Sequence, residues 1–169
     1  DYEKAIAEKD RKIIELDTKR ASVMSHKNVL NVEIGSLIME IDRVKDSLAN
    51  YRDLYKKVQD EVLNENYLKC PTCGREYEAD RIDEIRTQFE ESKHERLNAY
   101  KTKGEELNKT LEVKENERKN KESQIEDADK EYDELSKQIE SIKAEISMMP
   151  TKADSSVTTD IDEQIKSLE

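Results

Sequence analysis

Apolar residues recur along this chain at alternating steps of three and four, with one interruption near the middle. With Ile13 as an a position of a seven-residue repeat, Ile6, Ile13, Arg20, Lys27, Ile34, Ile41, Leu48, Tyr55 and Val62 fall at a. Lys9, Leu16, Val23, Leu30, Leu37, Val44, Tyr51 and Val58 fall at d. Fourteen of these seventeen sites are apolar, a density that predicts a coiled-coil helix. The pattern resumes at Leu97, with Gly104, Leu111, Arg118, Ile125, Tyr132, Ile139 and Ile146 following at a. Tyr100, Leu107, Lys114, Lys121, Ala128, Leu135, Ile142 and Met149 stand at d. Ile82, Ile85 and Phe89 are one residue out of step with Leu97, so a local unwinding is expected near Ser92 and Lys93.

Between the two patterned arms lie Asn64, Asn66, Pro71 and Gly74, residues that end helices and make turns. The expected fold is therefore all-α: a long antiparallel coiled-coil hairpin with a Cys-x-x-Cys turn at its apex. The boundaries read as residues 1–66 for the first arm, 67–79 for the apical turn and 80–149 for the second arm. Residues 150–159, opened by Pro150, read as a polar linker, and Asp160 with Glu163 reads as the cap of a further short helix over 160–169. Reflection about residue 72 sets Arg20 and Lys27 at the height of Arg118 and Lys121. Basic seam residues would coincide there, reaching out to Glu115, Glu117 or Glu122.

Composition narrows the possibilities. Charged residues make up 42% of the chain and hydrophobic ones 34%, with no Trp, three Gly and two Pro, too little apolar mass for a thick core but well suited to long helices. The net charge of −11 argues against a broad nucleic-acid-binding face, and no direct nucleic-acid contact is expected of this segment. The sequence contains neither a run of about 20 apolar residues nor a secretory signal, so no membrane association is expected. The chain opens on Asp1 and closes within a helix-like stretch, which reads as a piece of a longer protein. Its only cysteines, Cys70 and Cys73, fit a reducing intracellular setting, cytoplasmic or nuclear.

Those two cysteines form Cys70-Pro71-Thr72-Cys73-Gly74. Pro71 fixes one backbone angle, and Gly74 allows a left-handed turn that can aim backbone N–H groups at the second sulfur. The spacing suits chelation of Zn²⁺, but a closed structural zinc site takes four ligands and the local chain offers two. His94 lies too far along the second arm, and His26 lies on the first. Glu76, Glu78 and Asp80 could lend only oxygen, which structural zinc disfavours. An identical knuckle on a second chain is the economical source of the missing pair, giving one shared Zn²⁺ per homodimer on a two-fold axis. Leu68, Pro71, Thr72 and Tyr77 are the expected contacts around the paired hooks. The competing reading is an inert or redox-active tip. No catalytic constellation is present, so this segment is not expected to be an enzyme.

The stretch Lys69-Cys70-Pro71-Thr72-Cys73-Gly74-Arg75, with a helix opening near Ala79 to Ile85, resembles the zinc hook of SMC-like ATPases that repair DNA double-strand breaks. The resemblance is specific over about ten residues. It implies that Cys70 and Cys73 are zinc ligands shared with a second protomer. It also implies a parent whose ATPase halves lie at the far ends of the arms and act on DNA with a nuclease subunit. The alternative is a scaffolding coiled coil, unrelated to DNA, whose knuckle docks a protein.

Overall fold

The computed structural model describes residues 2–149; the expected linker and short helix over 150–169 lie outside the described residues. Two helices account for nearly all of it: α1 spans Tyr2–Gln59 and α2 spans Ala79–Ser147, with a single 3₁₀ turn at Glu65–Leu68. Among the described residues there is no strand, only an isolated antiparallel bridge between Lys69 and Glu76. None of the described helices is long and apolar enough to cross a membrane. Both helices run long because neither contains Pro and each contains a single Gly, Gly35 in α1 and Gly104 in α2.

The chain divides into two compact units, one drawing on Asp1–Asn31 with Ser123–Glu169 and the other on Val32–Glu122. In the first unit, Leu16, Leu135 and Ile139 form a buried cluster, flanked by Ile13, Val23 and Ile142. The helices are antiparallel there: Lys9 pairs with Glu145, and Lys27 with Asp129. Arg20 reaches Ser136 at 3.3 Å and lies 5.6 Å from the centre of the Tyr132 ring. In the second unit Leu37, Ile41, Leu48 and Val58 are buried. Lys121 pairs with Glu33 at 2.8 Å, Lys114 pairs with Glu40, and the Tyr51 and Tyr100 rings stand 6.0 Å apart. Among the described residues, every buried one falls at an a or d position of the repeat, each buried Leu, Ile or Val contributing about 1.5–3 kcal/mol on leaving water.

Three expectations need correction. First, α1 stops at Gln59, before the a site Val62, which is 85% exposed. The cause lies just beyond, where the Asn64 side chain accepts the Asn66 backbone N–H at 3.0 Å and caps the 3₁₀ turn, an arrangement in competition with further helix. Second, α2 passes through Ser92 and Lys93 without a break. Phe89 shares a cleft with Leu63 and Leu68 of the connection between the helices, which gives it an apolar partner outside the Leu97 register.

Third, Arg20 and Lys27 face Tyr132, Ser136 and Asp129, while Arg118 pairs with Glu122 of its own helix and Lys121 with Glu33. The basic positions therefore do not coincide in height. Reflection close to residue 72 describes only the turn, where Cys70 meets Arg75 and Leu68 meets Tyr77 about a point between Thr72 and Cys73. Along the helices the centre has moved: Glu33 with Lys121 and Glu40 with Lys114 are both centred on residue 77. Residues 60–69 climb faster than α2: the Glu65–Leu68 3₁₀ turn gains about 2.0 Å per residue and the irregular chain beside it up to about 3.3 Å, whereas α2 gains about 1.5 Å. Fewer residues on one side thus match more on the other, and the pairing shifts.

Candidate metal centre

The connection is anchored before it turns. The Glu61 carboxylate accepts both terminal nitrogens of Arg96, at 3.0 and 2.5 Å, and its backbone carbonyl accepts Lys93 Nζ at 2.8 Å. Arg96 holds the Glu61 carboxyl below its ordinary pKa, chiefly through the hydrogen bond. Beyond the 3₁₀ turn the chain forms a small hairpin. Tyr77 N donates to the Leu68 carbonyl at 3.0 Å, and Cys70 N donates to the Arg75 carbonyl at 2.8 Å.

Within the hairpin, Gly74 N donates to the Cys70 carbonyl at 2.8 Å, and Gly74 takes φ +72°, the left-handed region. This reverses the chain over Pro71, Thr72 and Cys73, where Pro71 has no N–H to leave unpaired. The Glu78 carbonyl then accepts from Arg81 and Ile82, each at 3.0 Å, and α2 begins.

Both cysteines are free thiols on this turn, Cys70 half-buried and Cys73 exposed. The Cys73 amide, then the Thr72 amide, pull the Cys70 thiol below the ordinary range. Such donors stabilise thiolate, the form that binds metal. Pro71 and Thr72 are exposed beside the sulfurs, and Tyr77 is half-buried. Leu68 lines a cleft with Leu63, Arg86 and Phe89, against α2.

No group of three or more His, Cys, Asp or Glu capable of holding a metal is gathered anywhere among the described residues. His94 lies within α2, with its Nε2 3.0 Å from Asn98 Nδ2. Glu76 faces Lys69 in the β-bridge, and Asp80 lies in the first turn of α2. The donor set is therefore two sulfurs, one of them pre-disposed to ionise. It fits half of a tetrahedral thiolate site and nothing larger.

The Glu61 anchor escaped the sequence reading, because Glu61 carries no motif and its partners come 32 and 35 residues later. The signal was the triplet spacing of Lys93 and Arg96, which places two cations on one face of a helix. No protein-family model, curated protein or solved structure matches the chain.

Proposed function

We propose that this chain is a zinc-dependent tethering segment, in which Cys70 and Cys73 of two copies supply the four thiolates of one shared site. The observation that carries the reading is the pairing of an amide-stabilised Cys70 thiol with an exposed Cys73 on one turn, with no third donor nearby. A divalent metal held by two thiolates alone keeps open positions, so metal affinity and pairing are coupled. Zn²⁺ would supply only charge and tetrahedral geometry, with no redox chemistry. The exposed Pro71 and Thr72 would lie where the copies meet, with Tyr77 beside them.

The resemblance of Lys69 to Arg75 to the hook of SMC-like repair ATPases supports placing the segment in such a parent. There it joins two protomers whose ATPase halves and nuclease subunit act on DNA, while the segment itself catalyses nothing. Flanking ATPase halves in the full-length gene would support that setting; their absence would favour a scaffolding coiled coil.

Native mass spectrometry with and without a chelator tests the tether directly. The expected outcome is one Zn²⁺ per two chains, with the dimer lost on chelation. Cys70→Ser should give monomers of unchanged helicity. A dimer that ignores chelator, or a Cys70→Ser variant that still pairs through metal, would overturn the reading.

A further inference from the structure

The second unit contains a feature that the metal reading does not use. Gly104 occupies an a position of the seam, where a large aliphatic residue would ordinarily fill the layer. A Cβ placed on Gly104 would meet no heavy atom within 4 Å, so the missing side chain leaves open space. The result is a cleft of about 290 Å³, close to the lower bound of ordinary small-molecule sites. Buried Leu48 lies among its walls, with Tyr51, Tyr55 and Tyr100 beside it. Three of the seven tyrosines of the chain therefore line one opening. The Tyr51 and Tyr100 rings are tilted by 53° and stand 6.0 Å apart, already in the range of edge-to-face packing.

The rim has its own chemistry. Arg52 and Lys101 line the opening and are exposed, and neither makes an ion pair among the described residues. This contrasts with the seam bases Lys9, Lys27, Lys114 and Lys121, each of which is paired with a carboxylate. One carboxylate, Glu105, shares the rim with the two cations. An apolar, tyrosine-walled notch with net positive charge at its mouth suits one kind of occupant.

We propose that the notch at Gly104 binds a planar aromatic anion, with the ring among Tyr51, Tyr55 and Tyr100 and the anionic group towards Arg52 and Lys101. Tyrosine faces receive a ring without demanding a particular hydrogen-bond pattern, and the guanidinium of Arg52 can pair with a planar or tetrahedral oxyanion. Nothing in this site depends on the thiols or on a metal. It stands whether or not the chains pair through Cys70 and Cys73.

Naphthalene-2-sulfonate is a suitable probe, titrated by calorimetry into the intact chain with zinc present, with 2-naphthalenemethanol as the uncharged comparison. Saturable binding of one sulfonate per chain is expected, tighter than the alcohol. Gly104→Leu should fill the notch and weaken sulfonate binding by at least about tenfold, equivalent to about 1.4 kcal/mol. Its circular dichroism should remain helical, since the added side chain enters open space. Arg52→Ala with Lys101→Ala should remove the preference for sulfonate over alcohol while leaving the alcohol's affinity unchanged. Failure of the wild-type chain to saturate at millimolar probe would overturn the proposal. So would equal binding by a folded Gly104→Leu chain, or a charge preference that survives loss of both cations.

Discussion

Cys70 and Cys73 are chemically unequal although the motif presents them alike. The backbone amides of Cys73 and then Thr72 draw the thiol of half-buried Cys70 below the ordinary range, which favours its thiolate. In a metal-free Cys73→Ser chain, the Cys70 alkylation rate should rise with a midpoint below that of a free cysteine in an unfolded peptide. An identical midpoint in the folded chain and in denaturant would remove the electrostatic argument for a prepared ligand. Gly74 makes this arrangement possible: at φ +72° an L side chain costs about 1–2 kcal/mol, although no atom stands in the way of a Cβ. The sequence made the two proposed ligands, Cys70 and Cys73, and the need for glycine legible. It did not reveal which sulfur the amides serve, because that depends on the hand of a turn whose ends are set by Lys69 and Glu76.

At the scale of the element, the connection from Asp60 to Glu78 carries its own anchors. The Glu61–Arg96 pair is half-exposed, and such pairs contribute modestly, but Lys93 holds the same residue by its carbonyl. The pH dependence follows from the sign of the shift. Glu61 is more acidic folded than unfolded, so its contribution is present above about the unfolded value of 4.5 and disappears as pH falls through the folded value. Glu40, paired with Lys114, is shifted the same way, so the helical seam weakens in the same acid range. Lys121, opposite Glu33, is shifted upward, so its contribution is intact at neutral pH and is lost only as alkali carries pH past its raised folded value. Hydrogen exchange across residues 61–68 should therefore accelerate between pH 6 and pH 3 beyond its intrinsic rate. In Arg96→Ala the segment should already exchange faster at pH 6 and lose that extra acid response. A wild-type-like profile in Arg96→Ala would show that the anchor does not hold the segment. The sequence marked this region as a turn but not its inner order, since Val62 continues the heptad while Asn64 and Asn66 end it.

At the scale of the whole molecule, the heptad reading identified the seam: the buried set of Leu16, Leu30, Leu37, Ile41, Leu48, Val58, Ala128, Leu135 and Ile139 lies wholly within the expected positions. Register was not legible, because the hydrophobic pattern says which faces meet and not which residues stand opposite. Charge pairs such as Lys9–Glu145 and Lys114–Glu40 supply that second piece, and they could be enumerated only once the path of residues 60–69 was known.

The same antiparallel pairing has a consequence in time. Glu61 and Arg96 are 35 residues apart in the chain, Lys9 and Glu145 136 apart. Closing the longer loop first costs about 1 kcal/mol more in chain entropy, so association is favoured to start beside the turn and travel outward. Leu48→Ala should then slow folding in stopped-flow circular dichroism, whereas Leu16→Ala should mainly hasten unfolding. Equal slowing of folding by both would mean that closure has no preferred starting point. With the preferred order, the turn bearing the thiols is complete while residues 2–31 and 123–149 are still searching for one another. Under the proposed tether, a second chain could then be captured by a finished knuckle before its owner has finished folding.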